Sequence, residues 1–319
     1  MNIDLTDTTS SQINATLVRA RRTTGSPAVG MVLTMVIVTD EGNHYDALKA
    51  ANEASKEHPS RTLVVIRRPA RSARERAASA RLDAEVRVGG DTGIGETVLL
   101  RLHGELAGHA HSAVLPLLLP DAPVVVWWPD EAPTHPSNDP LGALAQRRIT
   151  DAAAAEDPSA DLATRADVYS PGDTDLAWTR ITPWRSVLAA ALDQTHSTVT
   201  AAEVEGEEHN PSTDLLAYWL GRRLDVPVTR TAAQGPGITA VRLTVEDGEI
   251  CLDRPDGSMA TLAVPGQPNR HVALNRRDTS ELLAEELRRL DPDEAYEEAI
   301  RAGREITLVT AGASGEAAS

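Results

Sequence analysis

The distribution of apolar and polar positions divides the chain into two parts with different periodicities. In the first part, continuous apolar runs occupy residues 29–38, 63–66 and 123–128 and are rich in β-branched side chains. Runs of this kind are typical of parallel strands that are buried on both faces. Further elements are predicted from spacing and alternation: helices at residues 8–22, 44–58 and 106–118, and strands at residues 84–88, 97–102 and 148–150. This order of elements predicts an α/β domain with a mostly parallel sheet and flanking helices.

The second part has helices that start with a cap residue and a proline, followed by short alternating runs. Thr182-Pro183 and Asn210-Pro211 each precede apolar residues at helical spacing, as expected at a capped helix start. A strand is predicted at residues 199–204, and one charged helix is predicted at residues 281–301. Alternating runs separated by turns with Asp-Gly pairs predict β-hairpins over residues 240–245, 249–252 and 259–264. We therefore predict an α+β domain with an antiparallel meander.

A change of composition marks the boundary between the two domains. Residues 151–173 are rich in Ala, Asp, Ser and Pro and carry few apolar side chains that could form a core. We therefore predict an N-terminal α/β domain at residues 1–155 and a linker with a short helix at residues 156–172. The C-terminal α+β domain is predicted at residues 173–305, and a flexible tail at residues 306–319.

The charge balance of the chain excludes some classes of binding partner. The chain has 31 Lys and Arg residues against 47 Asp and Glu residues, a formal net charge of −16. Nonspecific binding to nucleic acid or to an anionic membrane needs basic surface, so neither is expected. No apolar run approaches the roughly 20 residues of a membrane span, and the N-terminus has no signal-peptide core. These features predict a cytoplasmic protein.

Candidate catalytic and cofactor motifs are each incomplete. The glycine-rich residues 89–97 lack the Gly-Lys-Ser/Thr end of a phosphate-binding loop, and an apolar strand follows them, so a hairpin is predicted. His103, His109 and His111 do not have the four-residue spacing of a helical zinc pair. Cys251 is the sole cysteine, which excludes an internal disulfide. We therefore predict no catalytic residues, no bound cofactor and no metal site.

The tryptophans carry the strongest signal for recognition, because this residue is enriched both in cores and at binding hot spots. Trp184 and Trp219 belong to helical apolar stripes and are predicted to be core residues. Trp127 and Trp128 are neighbours in an extended run and point to opposite faces, so one packs on a second layer or lies open to a partner. Trp178 has polar neighbours and either caps a helix or faces a partner.

These segments define the candidate partner-binding residues. Arg180 and Arg185 either pair with nearby carboxylates or bind an anion or partner, and both alternatives stay open at this point. The predicted partner-binding set is Trp127, Trp128, Asp130, Trp178, Arg180 and Arg185.

The same segments resemble those of a known family. The strings VLPLLLPDAPVVVWWPDEAP at residues 114–133, LGALAQRRITDAA at residues 141–153 and DLAWTRITPWR at residues 175–185 are similar to the OpcA proteins. These proteins are described as glucose-6-phosphate dehydrogenase assembly or activator proteins, and the arginine-rich composition suits an actinobacterial member. The resemblance extends over most of residues 25–305 and leaves the two ends of the chain uncovered.

The resemblance implies a non-enzymatic partner of the oligomeric glucose-6-phosphate dehydrogenase. Such a protein raises the activity of the dehydrogenase in the oxidative pentose phosphate pathway, as an assembly factor or an allosteric activator, and so increases NADPH supply. Cyanobacterial relatives are linked to thiol redox control. The lone Cys251 departs from that pattern, since one cysteine cannot form a disulfide within the chain.

A second hypothesis comes from the predicted sheet rather than from the resemblance. Parallel sheets place ligand crevices at the carboxyl ends of their strands. An enzyme or sensor that binds a sugar phosphate or nucleotide there could use Arg147, Arg148, Arg180 or Arg185 for the phosphate.

Overall fold

A computed structural model describes residues 1–25, 30–69, 80–89, 95–195, 197–306 and 308–311. The chain forms two units, and each draws on separate stretches of sequence. The first unit comprises Met1–Asp151, Gly172–Thr174 and Asp278–Pro292. The second unit comprises Ala152–Pro171, Asp175–Arg277 and the chain from Asp293 onward.

The first unit is built on an eight-stranded sheet in the order β1-β4-β5-β3-β2-β6-β7-β8. Its strands are β1 (Asn2–Leu5), β2 (Leu33–Thr39), β3 (Ser60–Arg68), β4 (Arg81–Val88), β5 (Glu96–His103), β6 (Val124–Trp127), β7 (Arg147–Thr150) and β8 (Asp173–Asp175). Four pairs of neighbouring strands are parallel: β5–β3, β3–β2, β2–β6 and β6–β7. The pairs β1–β4 and β4–β5 are antiparallel. The predicted mostly parallel sheet is confirmed.

The second unit contains a seven-stranded sheet in the order β14-β13-β12-β11-β9-β10-β15. Its strands are β9 (Val199–Glu207), β10 (Val228–Ala233), β11 (Ile238–Val245), β12 (Gly248–Asp253), β13 (Met259–Ala263), β14 (Arg270–Ala273) and β15 (Val309–Ala311). The strands β9, β11, β12, β13 and β14 pair antiparallel, which confirms the predicted meander. The pairs β9–β10 and β10–β15 are parallel.

The helices lie between these strands in the chain. They are α1 (Ser10–Thr24), α2 (His44–Ala54), α3 (Ala110–Val114), α4 (Pro158–Val168), α5 (Leu176–Arg180), α6 (Thr182–Leu192), α7 (Pro211–Leu224), α8 (Thr279–Glu286) and α9 (Glu294–Ala302). Within the described residues, no helix has the length and apolar character needed to cross a membrane.

Local sequence explains the ends of α1. Thr9 accepts the amide N–H of Gln12, and the Gln12 side chain accepts the amide of Thr9, which forms a capping box. Ile13, Leu17 and Ala20 then recur at helical spacing and are buried in the first core. The helix ends at Gly25, which adopts a left-handed conformation with φ +65° that other residues rarely tolerate.

Two sequence predictions about helices are wrong. The predicted helix at residues 281–301 is two helices, because Pro292 cannot supply a backbone N–H and the chain breaks before α9. In residues 106–118 only α3 is α-helical, with 3₁₀ turns on both sides and Pro116 in the second turn. Within the predicted tail at residues 306–319, the structure describes the short strand β15, which pairs with β10; the tail as a whole stays a prediction.

The return of the chain to the first unit is a further difference from the predicted division at residues 155 and 173. Helix α8 packs on α2, and the His58 ring nitrogen lies 3.0 Å from the backbone oxygen of Ala284. Residues 278–292 therefore belong to the first unit, although they follow most of the second in sequence. The sequence of a helix indicates which face is apolar, but it does not indicate which other element packs on that face.

Candidate functional site

The Trp127-Trp128 pair lies at the carboxyl end of β6, and both side chains are buried. Trp127 is 2% exposed and Trp128 is 1% exposed, so of the two predicted alternatives the packing on a second layer, and not the exposure to a ligand or partner, describes this structure. Parallel sheets are covered on both faces, so neighbouring side chains that point in opposite directions can both enter core. The two residues are therefore core residues in this conformation.

Trp128 is fixed by the loop that follows β6. Its backbone N–H donates to the carbonyl oxygen of Ile149 at 3.0 Å, and its side chain belongs to the first core. A Cβ atom at Gly142 would lie 1.8 Å from the Pro136 carbonyl oxygen and 3.1 Å from the Trp128 ring, so only glycine fits there. The loop therefore closes over the Trp128 ring.

Asp130 has a structural contact of its own. The Thr39 hydroxyl at the end of β2 donates to Oδ2 of Asp130 at 2.9 Å, and the Asp130 side chain is half-buried. This contact ties the ends of β2 and β6, which are neighbouring strands.

Trp178 is also buried, at 1% exposure, in the second unit. Its Nε1–H donates to Oδ2 of Asp293 at 2.8 Å, and Asp293 also caps the start of α9. The Arg185 guanidinium lies over the ring, 3.7 Å from its centroid, and the Tyr296 ring lies 5.8 Å away. Trp178 therefore joins α5 to α9, and it is buried rather than open to a partner in this structure because its ring N–H finds a carboxylate inside the protein.

The burial of Trp184 and Trp219 is closer to what the sequence predicts. Trp184 is buried in the core of the second unit, as predicted. Trp219 is half-buried and packs against the same core.

Arg147 and Arg148 do not form the phosphate site that the second hypothesis requires. They are the first two residues of β7 and so lie at its amino end, whereas the hypothesis needs the carboxyl end. Arg147 donates to Glu286 at 2.5 Å and to the Asp291 carbonyl oxygen at 2.9 Å. Arg148 donates to Asp173. Both arginines are buried with a carboxylate partner, which makes them structural.

Acidic side chains follow the carboxyl end of β2. In a nucleotide-binding domain, free backbone amides at the corresponding place bind phosphate. Oδ1 of Asp40 accepts the amide N–H groups of Gly42 and Asn43 at 2.7 and 2.8 Å. Glu41 next to it pairs with Arg68 at 2.7 Å and Arg101 at 3.2 Å. Burial opposes ionisation of Glu41, but the hydrogen bonds from these two arginines hold the pKa of its carboxyl below the usual value.

A cavity in the second unit is lined in part by Arg180, one of the predicted partner-binding residues. Arg180 lines a cavity of about 60 Å³ together with Trp184, Ser212, Arg254, Arg276 and other residues, all of the second unit. Three of its four arginines, at positions 254, 276 and 277, were missed from the sequence. They lie far from Arg180 along the chain, and only the fold brings them to it.

Cys251 shows no sign of a reactive thiol. Its Sγ donates to Oδ2 of Asp253 at 3.0 Å. Burial, with the neighbouring Asp253 carboxylate, raises the pKa of the Cys251 thiol to about 12. The thiolate is the nucleophile in disulfide exchange, so this cysteine is unsuited to a redox switch. Among the described residues there is also no group of three or more metal-ligating side chains.

Solved structures with a related outline are distant from this chain. KijD10, a 3-ketoreductase from Actinomadura kijaniata, has 12% identity and a TM-score of 0.47, covering 88% of this chain and 98% of its own. An NAD-binding oxidoreductase from Klebsiella pneumoniae has 8% identity and a TM-score of 0.43, covering 86% and 95%. An oxidoreductase from Sinorhizobium meliloti has 11% identity and a TM-score of 0.41, covering 86% and 89%. These likenesses are too weak to bear on function.

Family profiles match both parts of the sequence. The profile of the glucose-6-phosphate dehydrogenase subunit N-terminal domain matches residues 51–167, and that of the C-terminal domain matches residues 171–300. A comparison with curated proteins found no match. The two profiles occur in order and together cover more than half of the chain, which agrees with the resemblance in the tryptophan segments. The chain therefore belongs to the OpcA family of glucose-6-phosphate dehydrogenase assembly proteins.

Proposed function

We propose that this protein binds the oligomeric glucose-6-phosphate dehydrogenase and raises its activity without catalysing a reaction itself. The observation that carries the proposal is the match of both family domains, in order, to residues 51–167 and 171–300. By raising the activity of the dehydrogenase, the protein would increase NADPH supply. A cytoplasmic location remains part of the proposal.

The physical requirement for activation is differential binding. An activator must bind the active state of the dehydrogenase more tightly than the inactive state, whether these states differ in assembly or in conformation. A tenfold shift between the states needs about 1.4 kcal/mol of differential affinity. One well-placed side chain at an interface can supply a difference of that size.

The acidic loop after β2 supports a binding protein over a nucleotide-binding enzyme. The Gly42 and Asn43 amides that could hold a phosphate already bond to the Asp40 carboxylate, whose negative charge would repel one. The paired state of Arg147 and Arg148 points the same way.

The partner surface we propose lies on the second unit around Arg180 and Arg185, which are both half-buried. Trp178 supports this surface from below, because the Arg185 guanidinium lies on its ring. Trp127, Trp128 and Asp130 contribute to the stability of the first unit in this conformation, and their part in partner binding stays a prediction.

Size-exclusion chromatography with the dehydrogenase of the same organism tests the proposal. We expect a mixture at micromolar concentrations to elute earlier than either protein alone. The Arg185→Ala variant should weaken this complex. Arg301→Ala is the matched control, because Arg301 also lies over an aromatic ring, that of Tyr169, but pairs with Glu297 at the surface of α9. Separate elution of the two wild-type proteins would refute the proposal.

A further inference from the structure

The arginine-lined cavity of the second unit has a charge that the rest of the protein does not share. Its lining includes four arginines and no acidic residue, although the chain as a whole has a net charge of −16. These arginines are Arg180, Arg254, Arg276 and Arg277. Such a concentration of positive charge in an acidic protein attracts anions to one place.

Two buried polar groups of the lining lack hydrogen-bond partners. Ser212 is 3% exposed, and within the described residues its hydroxyl oxygen has no partner. The Nε of Arg254, a residue 4% exposed, is unpaired in the same part of the chain. Unpaired buried donors are costly, so these two groups point to a ligand that accepts from them.

Arg254 is held in position before any ligand arrives. Its terminal nitrogens each donate at 2.8 Å, Nη1 to the Leu274 carbonyl oxygen and Nη2 to that of Ile238, and its guanidinium lies 4.9 Å from the centroid of the Trp184 ring. Burial, followed by repulsion from Arg276, lowers the pKa of Arg254 to about 10. A fixed cation that burial disfavours gains stability when an anion binds beside it.

The start of α7 adds to the positive field. Ser212 is in the first turn of this 14-residue helix, where the aligned peptide dipoles place partial positive charge. Asn210 accepts the amide N–H of Ser212 at 2.9 Å. The Ser212 hydroxyl and the positive end of the helix dipole therefore both lie at the cavity.

The size of the cavity limits what it can enclose. A space of about 60 Å³ is a few times what one water molecule needs, which is room for one small oxyanion. Asn275 and Arg276 are exposed, so the remainder of a larger ligand could extend into solvent.

We propose that this cavity binds the phosphate group of a small phosphorylated metabolite. Arg254 and Arg276 hold the phosphate oxygens, the Ser212 hydroxyl donates a hydrogen bond, and Arg180 adds charge at the edge. Planar guanidinium groups suit the geometry of phosphate oxygens. The inference is independent of the proposed function, because the cavity and all of its lining lie in this chain.

Isothermal titration of the purified full-length protein, without the dehydrogenase, tests the inference. The probes are inorganic phosphate and glucose 6-phosphate, with glucose as the uncharged control. We expect saturable binding of both anions, no binding of glucose, and weaker binding as the salt concentration rises. Arg276→Gln and Ser212→Ala should each weaken binding about tenfold, which is the usual effect of losing a hydrogen bond to a charged group.

Arg223→Gln is the matched control. Arg223 lies on the same helix as Ser212, but eleven residues along it and therefore about 17 Å away. It pairs with Glu298 at the surface. Unchanged binding in this variant, together with the loss in Arg276→Gln, supports the cavity as the site. The inference is overturned if phosphate does not bind at millimolar concentration, or if both arginine variants behave alike. It is also overturned if Arg276→Gln weakens binding to the dehydrogenase but leaves phosphate binding unchanged. That result would mean that the cavity binds an acidic group of the dehydrogenase.

Discussion

Two arginines of the first unit and two of the second have different surroundings, and so do the tryptophans near them. In the first unit, Arg147 and Arg148 are buried against carboxylates, and Trp128 packs in an apolar core. In the second unit, the Arg185 and Arg254 guanidinium groups lie over the rings of Trp178 and Trp184. The terminal nitrogens of Arg254 donate to carbonyl oxygens rather than to a carboxylate.

This difference separates structural arginines from candidate binding arginines. A carboxylate neutralises the charge of a buried guanidinium and leaves it little to offer a ligand. Carbonyl oxygens and an aromatic face satisfy the geometry of a guanidinium but leave its full charge in place. The number of arginines in a segment is therefore less informative than the identity of the groups that surround each one.

The largest expected loss of stability is in the first unit. Trp128→Ala should lower the free energy of unfolding by about 4 kcal/mol, because it removes a buried indole and leaves a cavity. Urea unfolding monitored by circular dichroism measures the loss. Trp219→Ala is the control and should cost less, since Trp219 is half-buried. Equal losses for the two variants would contradict the burial of Trp128.

The second prediction concerns the neutralised arginines. Arg147→Ala should lower the free energy of unfolding by about 3 kcal/mol, because Glu286 would remain buried without its partner. The exposed pair of Arg288 and Glu57 is the control, and Arg288→Ala should cost much less than Arg147→Ala, because solvent screens an exposed ion pair. If the Arg147 variant were as stable as the Arg288 variant, the structural role of Arg147 would be wrong.

A smaller, pH-dependent effect is expected at Glu41. Because its pKa in the folded state lies below the ordinary 4.5, its pairing with Arg68 and Arg101 stabilises the fold above that pH. This stabilisation is lost as the pH falls through the folded-state pKa. The side chain is 41% exposed, so the contribution is below about 1 kcal/mol. The difference in unfolding free energy between wild type and Glu41→Gln should shrink below pH 4.5, and a constant difference would refute this.

The smallest change in stability is expected at the arginine-lined cavity. Arg276 is exposed, so Arg276→Gln should alter the free energy of unfolding by less than about 0.5 kcal/mol. Thermal unfolding without ligand measures this. A loss comparable to that of Arg147→Ala would mean that Arg276 is a structural arginine like Arg147, and the distinction between the two groups of arginines would fail.

Much of the fold was predictable from the sequence because the relevant signals are local. The apolar runs that became β2, β3 and β6 show their burial directly, and the Asp-Gly turns locate the hairpins of the meander. Five strands were missed, since short strands with polar residues have little periodicity: β1, β8, β10, β14 and β15. The packing of α8 on α2 depends on contacts between distant parts of the chain, which local periodicity does not show.

The candidate site was less predictable for the same reason. Arg180 was chosen from its sequence neighbourhood and does line the cavity, whereas Arg254 and Arg276 reach it only through the fold. The Arg276-Arg277 doublet is not diagnostic, because the same doublet begins at positions 21, 67, 147, 222 and 288. The tryptophans were misjudged because the sequence shows that Trp127 and Trp128 point to opposite faces but not that both faces are covered.

The central claim is that this member of the OpcA family acts on glucose-6-phosphate dehydrogenase by binding it. The most direct test is the rate of NADPH formation at fixed dehydrogenase and saturating substrates, measured while the concentration of this protein is raised. The account predicts that the rate increases and then saturates, whereas this protein alone forms no NADPH. A rate that stays constant up to micromolar concentrations of this protein would contradict the claim.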